Sequence, residues 1–268
     1  MQIQQVDAFT DRAFAGNPAG VVLLEEPAPE AWMQFMAAEM NLAETAFASP
    51  EADGYRLRWF TPITEVDLCG HATLATAHVL YESGREAPGG PVRFHTASGV
   101  LTAEVDGAQI ALDFPEEAPE PSPAPTEVSA ILGQTPVWTG RNRMDLLADL
   151  GEEQTVVNLS PDLAAVAALP YRAVIVTAPA RREGADFVSR VFAPGVGIPE
   201  DPVTGSAHCC LGPYWAQRLG RDRLTGFQAS SRGGTVGVEM RGDRVRLTGS
   251  AVTVFHAELS AKAVPGGA

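Results

Sequence analysis

Two short segments of this 268-residue sequence share one design, a glycine-bearing polar turn that runs directly into an apolar helical stretch. The first turn contains Cys69, Gly70, His71 and Ala72, and the second spans Asp201 to Ser206. The start of a helix exposes unpaired backbone N–H groups and a partial positive charge, so it can hold an anion such as a carboxylate. Because a helix that is apolar on all sides must be buried, both turns are expected to lie against a protein core.

Side chains at these turns and at one earlier position are suited to proton transfer. Glu44 lies among small and apolar residues, where a partly desolvated carboxyl is a usable general acid or base. His71 supplies an imidazole, Asp201 a second carboxylate and Ser206 a hydroxyl. Taken one at a time, each residue has an ordinary structural explanation: a Glu on the surface, a His packed in the core, an Asp that opens a turn and a Ser that caps a helix. Together, on elements expected to converge, they form a set for moving protons, and the turn N–H groups would hold a developing negative charge.

The three cysteines do not indicate a disulfide framework, because their number is odd and two are adjacent. The ligand spacings of a structural zinc site are missing from the sequence, so no metal site is predicted. Cys209 and Cys210 are expected to pack inside a helix. Cys69 precedes a glycine at a helix start, where thiols can become reactive, and it is kept as a possible functional residue.

Composition excludes several classes of partner. A net charge of −14 argues against nucleic-acid binding, which requires clustered Lys and Arg. No apolar run reaches the roughly 18 residues of a membrane span, and the first residues do not resemble a signal peptide. We therefore expect no membrane partner and a cytoplasmic location. The glycine-rich nucleotide-binding motifs and the Gly-x-Ser-x-Gly elbow of serine hydrolases do not occur.

The order of predicted elements indicates an internal repeat. Each half has strands and a surface helix, then a strand ending in Phe-Thr-Pro at 60–62 or Phe-Ala-Pro at 192–194, then the polar turn, the apolar helix and more strands. This order implies an α+β architecture in which antiparallel strands wrap around one buried helix per half.

Five prolines between residues 115 and 125 indicate a linker, because such a run cannot form the interior of a strand or helix. We therefore predict an N-terminal domain at 1–116 and a C-terminal domain at 125–251. A final strand near 252–263 is expected to be able to return to the first domain.

Four local predictions concern individual elements. Residues 14–20 are predicted to form a turn or loop, because glycines and an Asn-Pro pair punctuate them. Residues 135–139 are predicted to form a strand. Pro213 lies inside the second apolar helix and predicts a kink or an early stop there. Residues 264–268 are expected to fray.

Several motifs together resemble the PhzF-like phenazine-biosynthesis family. They are Asp7-Ala8-Phe9, Gly16-Asn17-Pro18, Met40-Asn41-Leu42-Ala43-Glu44-Thr45, Phe60-Thr61-Pro62, Cys69-Gly70-His71-Ala72-Thr73 and the segment 200–207. The resemblance extends from the N-terminus to the last strands. It implies a diaminopimelate-epimerase-like fold, with two pseudo-symmetric domains, each a β-barrel wrapped around a central helix, and an active site in the cleft between them. It also implies a homodimer and a reaction without cofactor or metal.

The best-understood member of that family is an isomerase of trans-2,3-dihydro-3-hydroxyanthranilate, in which a glutamate shuttles a proton within the substrate. By resemblance, the matching glutamate is Glu44, and the supporting histidine, aspartate and serine match His71, Asp201 and Ser206. We expect substrate contacts from the asparagine of the Gly-Asn-Pro motif and from backbone groups of both turns, namely Asn17, Gly70, Ala72, Thr204 and Gly205.

One departure from the family pattern leaves a second chemistry open. The phenazine enzyme resembles Ala-Gly-His at the first turn, where this chain has Cys69 before Gly70. Related epimerases use one cysteine at each turn; Cys69 matches the first place, and Pro202 falls near the second. We therefore expect a cofactor-independent isomerase that acts by general acid/base proton transfer on a small carboxylate-bearing metabolite. An epimerase or racemase that uses Cys69, and a non-catalytic metabolite-binding protein, are the alternatives.

Overall fold

A polar turn followed by an apolar helix occurs twice in the computed structural model, which describes residues 1–265 of the chain. Fraying was expected at residues 264–268, and residues 266–268 of that segment lie outside the described residues. The chain divides into two compact units. The first consists of Met1–Asp113 and the chain from Thr248 onward, and the second of Phe114–Leu247. Within residues 1–265, no helix is both long enough and apolar enough to cross a membrane.

Helices are interspersed among the strands along the chain. The helices are α1 (Glu30–Met40), α2 (Gly70–Glu82), α3 (Val128–Leu132), α4 (Glu153–Val157), α5 (Leu163–Ala167) and α6 (Gly205–Leu219). The strands are β1 (Gln2–Ala8), β2 (Asn17–Leu23), β3 (Glu44–Glu51), β4 (Gly54–Phe60), β5 (Glu65–Val66), β6 (Val92–Thr96), β7 (Gly99–Asp106), β8 (Gln109–Pro115), β9 (Glu120–Pro121), β10 (Trp138–Arg141), β11 (Asp145–Asp149), β12 (Ala173–Pro179), β13 (Phe187–Ala193), β14 (Ile198–Asp201), β15 (Arg223–Gln228), β16 (Gly234–Arg241), β17 (Arg244–Gly249) and β18 (Ala251–Glu258).

The strands of the first unit pair in the order β18-β1-β2-β3-β4-β6-β7-β8. The pairs β2–β3 and β4–β6 are parallel, and the others are antiparallel. A parallel pair needs a crossover connection, and α1 and α2 lie in these two crossovers. Helix α2 contacts β18, β1, β2 and β3 from one end of this order and β7 from the other, so the strands curve around it.

The second unit repeats this topology. Its strands pair in the order β9-β10-β11-β12-β13-β15-β16, with β11–β12 and β13–β15 parallel. Helices α4 and α5 lie in the first crossover and α6 in the second. Counted from β1 in the first unit and from β10 in the second, successive strand pairs therefore follow the same alternation of antiparallel and parallel pairing. The internal repeat that the sequence predicts is present in the strand topology.

Helix α2 is buried along most of its length, as its apolar sequence predicts. Its two threonines are fully buried but hydrogen-bonded, because Thr73 Oγ1 donates to the carbonyl of Cys69 at 2.5 Å and Thr76 Oγ1 to that of Ala72 at 2.7 Å. Bonding each hydroxyl to the preceding turn removes the cost of an unsatisfied buried polar group. Beyond the helix, Gly84 adopts a positive φ of 72° that suits glycine.

Pro213 does not stop α6, which continues to Leu219, so the expected early stop is wrong. Pro213 has no N–H to donate to the carbonyl of Cys209, four residues earlier. The backbone N–H of Glu117 donates to that carbonyl instead, at 3.2 Å. A neighbouring segment thus supplies the hydrogen bond that the helix loses, and the helix ends six residues later with Gly220 in the left-handed region.

The prediction of a loop at 14–20 is wrong for residues 17–20, because β2 begins at Asn17. Pro18 is tolerated there because β2 pairs with β3 only from Ala19 onward, so its missing N–H lies at the end of the strand. The strand predicted at 135–139 is found at Trp138–Arg141.

Four short elements were not anticipated by the sequence analysis, namely helix α4 and strands β5, β9 and β14. Strand β9 lies inside the proline run and pairs with β10 over two residues, as proline allows at a sheet edge.

Candidate active site

The first unit brings together four of the residues that the sequence analysis singled out. Asn17 begins β2 and Glu44 begins β3, and the parallel pairing of these strands places both residues at the same end. Cys69 and His71 lie at the start of α2, one as its N-cap and one in its first turn. All four are buried, from 0% exposed for Asn17 to 9% for Glu44.

The imidazole of His71 contacts the other three side chains. Its Nδ1 lies 3.2 Å from Asn17 Nδ2 and 3.5 Å from Cys69 Sγ, and its Nε2 lies 3.3 Å from Glu44 Oε2. Burial lowers the pKa of His71 to about 3. The ring is therefore neutral near neutral pH, and its contact with Glu44 joins a carboxyl to a neutral imidazole rather than to a cation.

The contacts of Nδ1 assign the single proton of this neutral ring. An amide Nδ2 is a donor, and a thiol can also donate, so both neighbours of Nδ1 offer it a hydrogen. With the amide of Asn17 in this orientation Nδ1 accepts, and we assign the ring proton to Nε2, on the side of Glu44. A carboxyl that contacts this side of the ring is placed to act as a general base.

The second unit holds Asp201 at the end of β14, immediately before the turn that leads into α6. Thr204 Oγ1 donates to Asp201 Oδ2 at 2.6 Å. Gln228, at the end of β15 and fully buried, fixes this turn through its amide. Its Oε1 accepts the backbone N–H of Thr204 at 2.9 Å, and its Nε2 donates to the carbonyl of Asp201 at 2.6 Å.

Ser206, in the first turn of α6, is bonded to the arginine of a partly buried ion pair of the same unit. Arg172 Nη2 donates to Ser206 Oγ at 3.1 Å, and Arg172 Nε donates to Asp145 Oδ1 at 2.8 Å. The Asp145 side chain is 1% exposed and that of Arg172 is 33% exposed. Burial acts to lower the pKa of Arg172, but the hydrogen bonds to Asp145 together with the negative charges of Asp145, Asp201 and Glu117 outweigh it and raise that pKa, so the guanidinium stays charged.

The sequence analysis also singled out backbone groups at the start of α2 in the first unit and at the start of α6 in the second. The first N–H groups to bond within the helices belong to Thr73, which donates to the carbonyl of Cys69, and His208, which donates to that of Thr204. The N–H groups of Gly70 and Ala72 in α2, and of Gly205 in α6, precede them and belong to the set that a helix start leaves without intrahelical partners. Such groups suit an anion.

Gln228, Arg172 and Asp145 were not found by sequence reasoning. Each is a single polar residue without a motif. The one available signal is that Asp145 opens a strand whose next three residues are buried and apolar, a position where a carboxylate requires a partner.

Comparison with known proteins agrees with the motifs. Residues 6–257 match the sequence model of the PhzC-PhzF family, described as phenazine biosynthesis-like protein. An uncharacterized isomerase of Halalkalibacterium halodurans is 50% identical over 258 residues, which cover 96% of this chain and 97% of that protein.

Solved structures share the fold. A PhzF-family phenazine biosynthesis protein of Enterococcus faecalis has a TM-score of 0.92 at 43% identity, over 97% of this chain and 98% of that one. A structure described as a predicted epimerase of Pseudomonas aeruginosa has a TM-score of 0.72 at 21% identity, over 96% and 98% of the two chains. These likenesses confirm the expected α+β, diaminopimelate-epimerase-like fold. The chain therefore belongs to the PhzC-PhzF family of phenazine biosynthesis-like proteins.

Proposed function

We propose that this protein is a cofactor-independent isomerase that moves a proton within a small carboxylate-bearing metabolite by general acid/base catalysis. One observation carries the proposal: the carboxyl of Glu44 lies 3.3 Å from the N–H side of a buried, neutral His71. Relatives named as isomerases and a structural neighbour described as an epimerase support the same class of reaction.

In the proposed reaction, the Glu44 carboxylate removes a proton from a carbon next to an unsaturated or carboxylate-bearing group. The resulting carboxylic acid returns the proton to another carbon of the same molecule. Glu44 ends each turnover in its starting state, so the cycle balances without an external acid, base or oxidant. His71, whose Nε2 lies 3.3 Å from Glu44 Oε2, is proposed to orient the carboxyl between turnovers.

We assign Asp201 and Ser206 to the same reaction as proton-holding and hydrogen-bonding groups, because their turn matches the family motif. Thr204 holds the Asp201 carboxylate in place. The carboxylate of the substrate is proposed to bind Asn17 and the backbone N–H groups of Gly70, Ala72 and Gly205. Thr204, expected among these contacts, has its N–H bonded to Gln228 and its hydroxyl to Asp201, so we assign it to the support of the turn instead. The substrate is expected to be similar to trans-2,3-dihydro-3-hydroxyanthranilate in class, and the protein is expected to act as a cytoplasmic homodimer.

Deuterium uptake from D₂O tests this proposal even while the product is unidentified, because uptake reports the abstraction of a proton from carbon. A panel of small carboxylic acids and amino acids, including trans-2,3-dihydro-3-hydroxyanthranilate, is incubated with the enzyme and followed by NMR and mass spectrometry. Glu44→Gln should abolish uptake while the circular dichroism spectrum is unchanged. Glu51→Gln, at the exposed far end of the same strand, is the matched control and should retain uptake. Uptake that persists in Glu44→Gln would remove Glu44 from the proposed role.

The contact between Cys69 and His71 favours a second candidate, an epimerase or racemase in which the thiol is the proton carrier. Cys69 Sγ lies 3.5 Å from His71 Nδ1, which can accept its proton. This candidate predicts that Cys69→Ala abolishes deuterium uptake and that Glu44→Gln has little effect, the reverse of the first. Cys210→Ala, a buried cysteine of α6, is the control. Ligand binding without uptake in any variant would favour a non-catalytic metabolite-binding protein.

A further inference from the structure

The hydroxyl of Ser206 is bonded to a group that can only donate. A serine hydroxyl has one hydrogen to give and two lone pairs to accept with, whereas a guanidinium has donors alone. Because Arg172 Nη2 donates to Ser206 Oγ at 3.1 Å, the hydroxyl hydrogen cannot point toward Arg172. That hydrogen is available to a different partner, which must be an acceptor.

Arg172 is itself fixed on its other side. Its Nε and Nη2 donate to the two carboxylate oxygens of Asp145, which is fully buried. Strands β11 and β12 are parallel neighbours, and the pairing of Asp145 with Ala173 places Arg172 beside its partner. A bidentate pair of this kind holds a planar guanidinium in one orientation. The direction of the Nη2 donor toward Ser206 is therefore set by the fold.

Thr204, two residues before Ser206, has a hydroxyl that is bonded in the same way. Gln228 Nε2 donates to Thr204 Oγ1 at 3.2 Å, and Thr204 in turn donates to Asp201 Oδ2 at 2.6 Å. In both cases a donor from the scaffold occupies a hydroxyl lone pair and leaves the hydroxyl as a donor. The hydroxyls of Thr204 and Ser206 thus both accept a hydrogen bond from the scaffold and keep their own hydrogen for donation.

We propose that Arg172 is a positioning residue, anchored on Asp145, that holds Ser206 as a hydrogen-bond donor toward an oxygen acceptor of the substrate or of Asp201. This inference rests on the proposed function for the role of Ser206 in turnover. It adds that the group met by Ser206 is an acceptor such as a carboxylate or carbonyl oxygen. Arg172 acts through Ser206 and does not contact the reacting atoms.

A double-mutant cycle tests the inference. The wild type, Arg172→Met, Ser206→Ala and the double variant are compared by kcat and KM in the deuterium assay, with the substrate that the panel identifies. We expect Arg172→Met to lower kcat roughly ten- to hundredfold, as for the loss of a hydrogen bond to a charged group. In the Ser206→Ala background, the same change should lower kcat less than about threefold, because the hydroxyl it positions is gone.

Arg182→Met is the matched control. Arg182 is 34% exposed and pairs with Glu153, which is 11% exposed, so it resembles Arg172 and its partner in burial and charge. Its loss should lower the urea midpoint but leave kcat per folded molecule unchanged. If Arg172→Met does not fold, Arg172→Lys replaces it in the cycle, since lysine keeps the charge but loses the fork geometry.

Equal losses of kcat in both backgrounds overturn the inference, since Arg172 would then act independently of Ser206. A KM increase with unchanged kcat also overturns it, since Arg172 would then bind substrate directly. If no acid in the panel takes up deuterium, the same four proteins are compared by urea midpoint. A smaller drop on Arg172→Met in the Ser206→Ala background supports the contact, and equal drops reject it. Rejection of the contact between Arg172 and Ser206 would leave the proposed function intact, because that function depends on Glu44.

Discussion

Nε2 of His71 lies 3.3 Å from Oε2 of Glu44, and the buried ring that joins them is neutral. The opposite ring nitrogen, Nδ1, faces the amide of Asn17 and the thiol of Cys69. One imidazole thus separates two groups that can carry protons, the carboxyl of Glu44 and the thiol of Cys69. The hydrogen bond that Nδ1 accepts from Asn17 determines which ring nitrogen carries the proton. In the Nε2-protonated tautomer, the N–H lies next to the carboxyl of Glu44.

The first prediction concerns the charge and tautomer of His71. Because burial lowers its pKa from 6.5 to about 3, the ring should remain neutral and protonated on Nε2 from about pH 5 to about pH 8. Two-dimensional ¹H–¹⁵N spectra of the imidazole report both properties directly. A titration of His71 near its ordinary pKa, or a proton on Nδ1, would contradict the assignment.

Asn17→Ala removes the amide donor at Nδ1. We expect the Nε2-protonated form of His71 to lose part of its population and kcat to fall by roughly tenfold, the scale of one buried hydrogen bond. Asn17→Asp is the informative partner variant, since a carboxylate would draw the ring proton to Nδ1 and away from Glu44. Unchanged ¹⁵N shifts and unchanged kcat in both variants would show that Asn17 does not set the tautomer.

His208 provides a test of stability against pH. It is fully buried in α6, donates through Nδ1 to the carbonyl of Thr204 at 2.8 Å, and burial lowers its pKa to about 4. Between about pH 6.5 and pH 4, the unfolded chain takes up a proton at this histidine and the folded chain does not. The free energy of unfolding should therefore fall as the pH falls through this window, by up to about 1.4 kcal/mol per pH unit for this group.

Urea unfolding at several pH values checks this dependence. His208→Gln should flatten the slope in that window, whereas His256→Gln, at an exposed position, should leave it unchanged. His71 contributes a slope of the same sign, so some dependence should remain in His208→Gln. Identical slopes in the wild type and His208→Gln would mean that His208 is not neutral in the folded state.

Gln228→Leu tests the support of the second polar turn. The change leaves the backbone N–H of Thr204 without its acceptor and the carbonyl of Asp201 without its donor. An unsatisfied buried group costs about 1–3 kcal/mol, so the urea midpoint should drop. Since the turn between Asp201 and Thr204 then loses both of its bonds to the amide, kcat per folded molecule should fall as well. A lower midpoint with unchanged kcat would limit Gln228 to a structural role.

Much of this architecture is predictable from the sequence, because the strongest patterns are local. The run after Gly70 is apolar on all faces, and such a helix can only be buried, as α2 is. The repeat of a polar turn before an apolar helix predicts two similar units, and the strand topology shows them. Glu44 and His71 could be singled out because each interrupts, or directly precedes, an apolar stretch.

The remaining features depend on contacts between distant residues. Arg172 meets Asp145 because β11 and β12 pair in parallel, and Gln228 meets Thr204 because β15 returns beside its turn. No local pattern specifies such pairings. Continuation of α6 through Pro213 has the same origin, since the compensating donor is the distant Glu117.

The central claim is that one carboxyl, Glu44, carries the proton from one carbon of the substrate to another. Substrate deuterated at the reacting carbon, converted in H₂O in a single turnover, tests it most directly. A carboxyl that is only 9% exposed should return part of the label to the new position before it exchanges with solvent, so the product should retain measurable deuterium. Complete loss of the label to solvent in the wild type, with full activity in Glu44→Gln, would contradict the account.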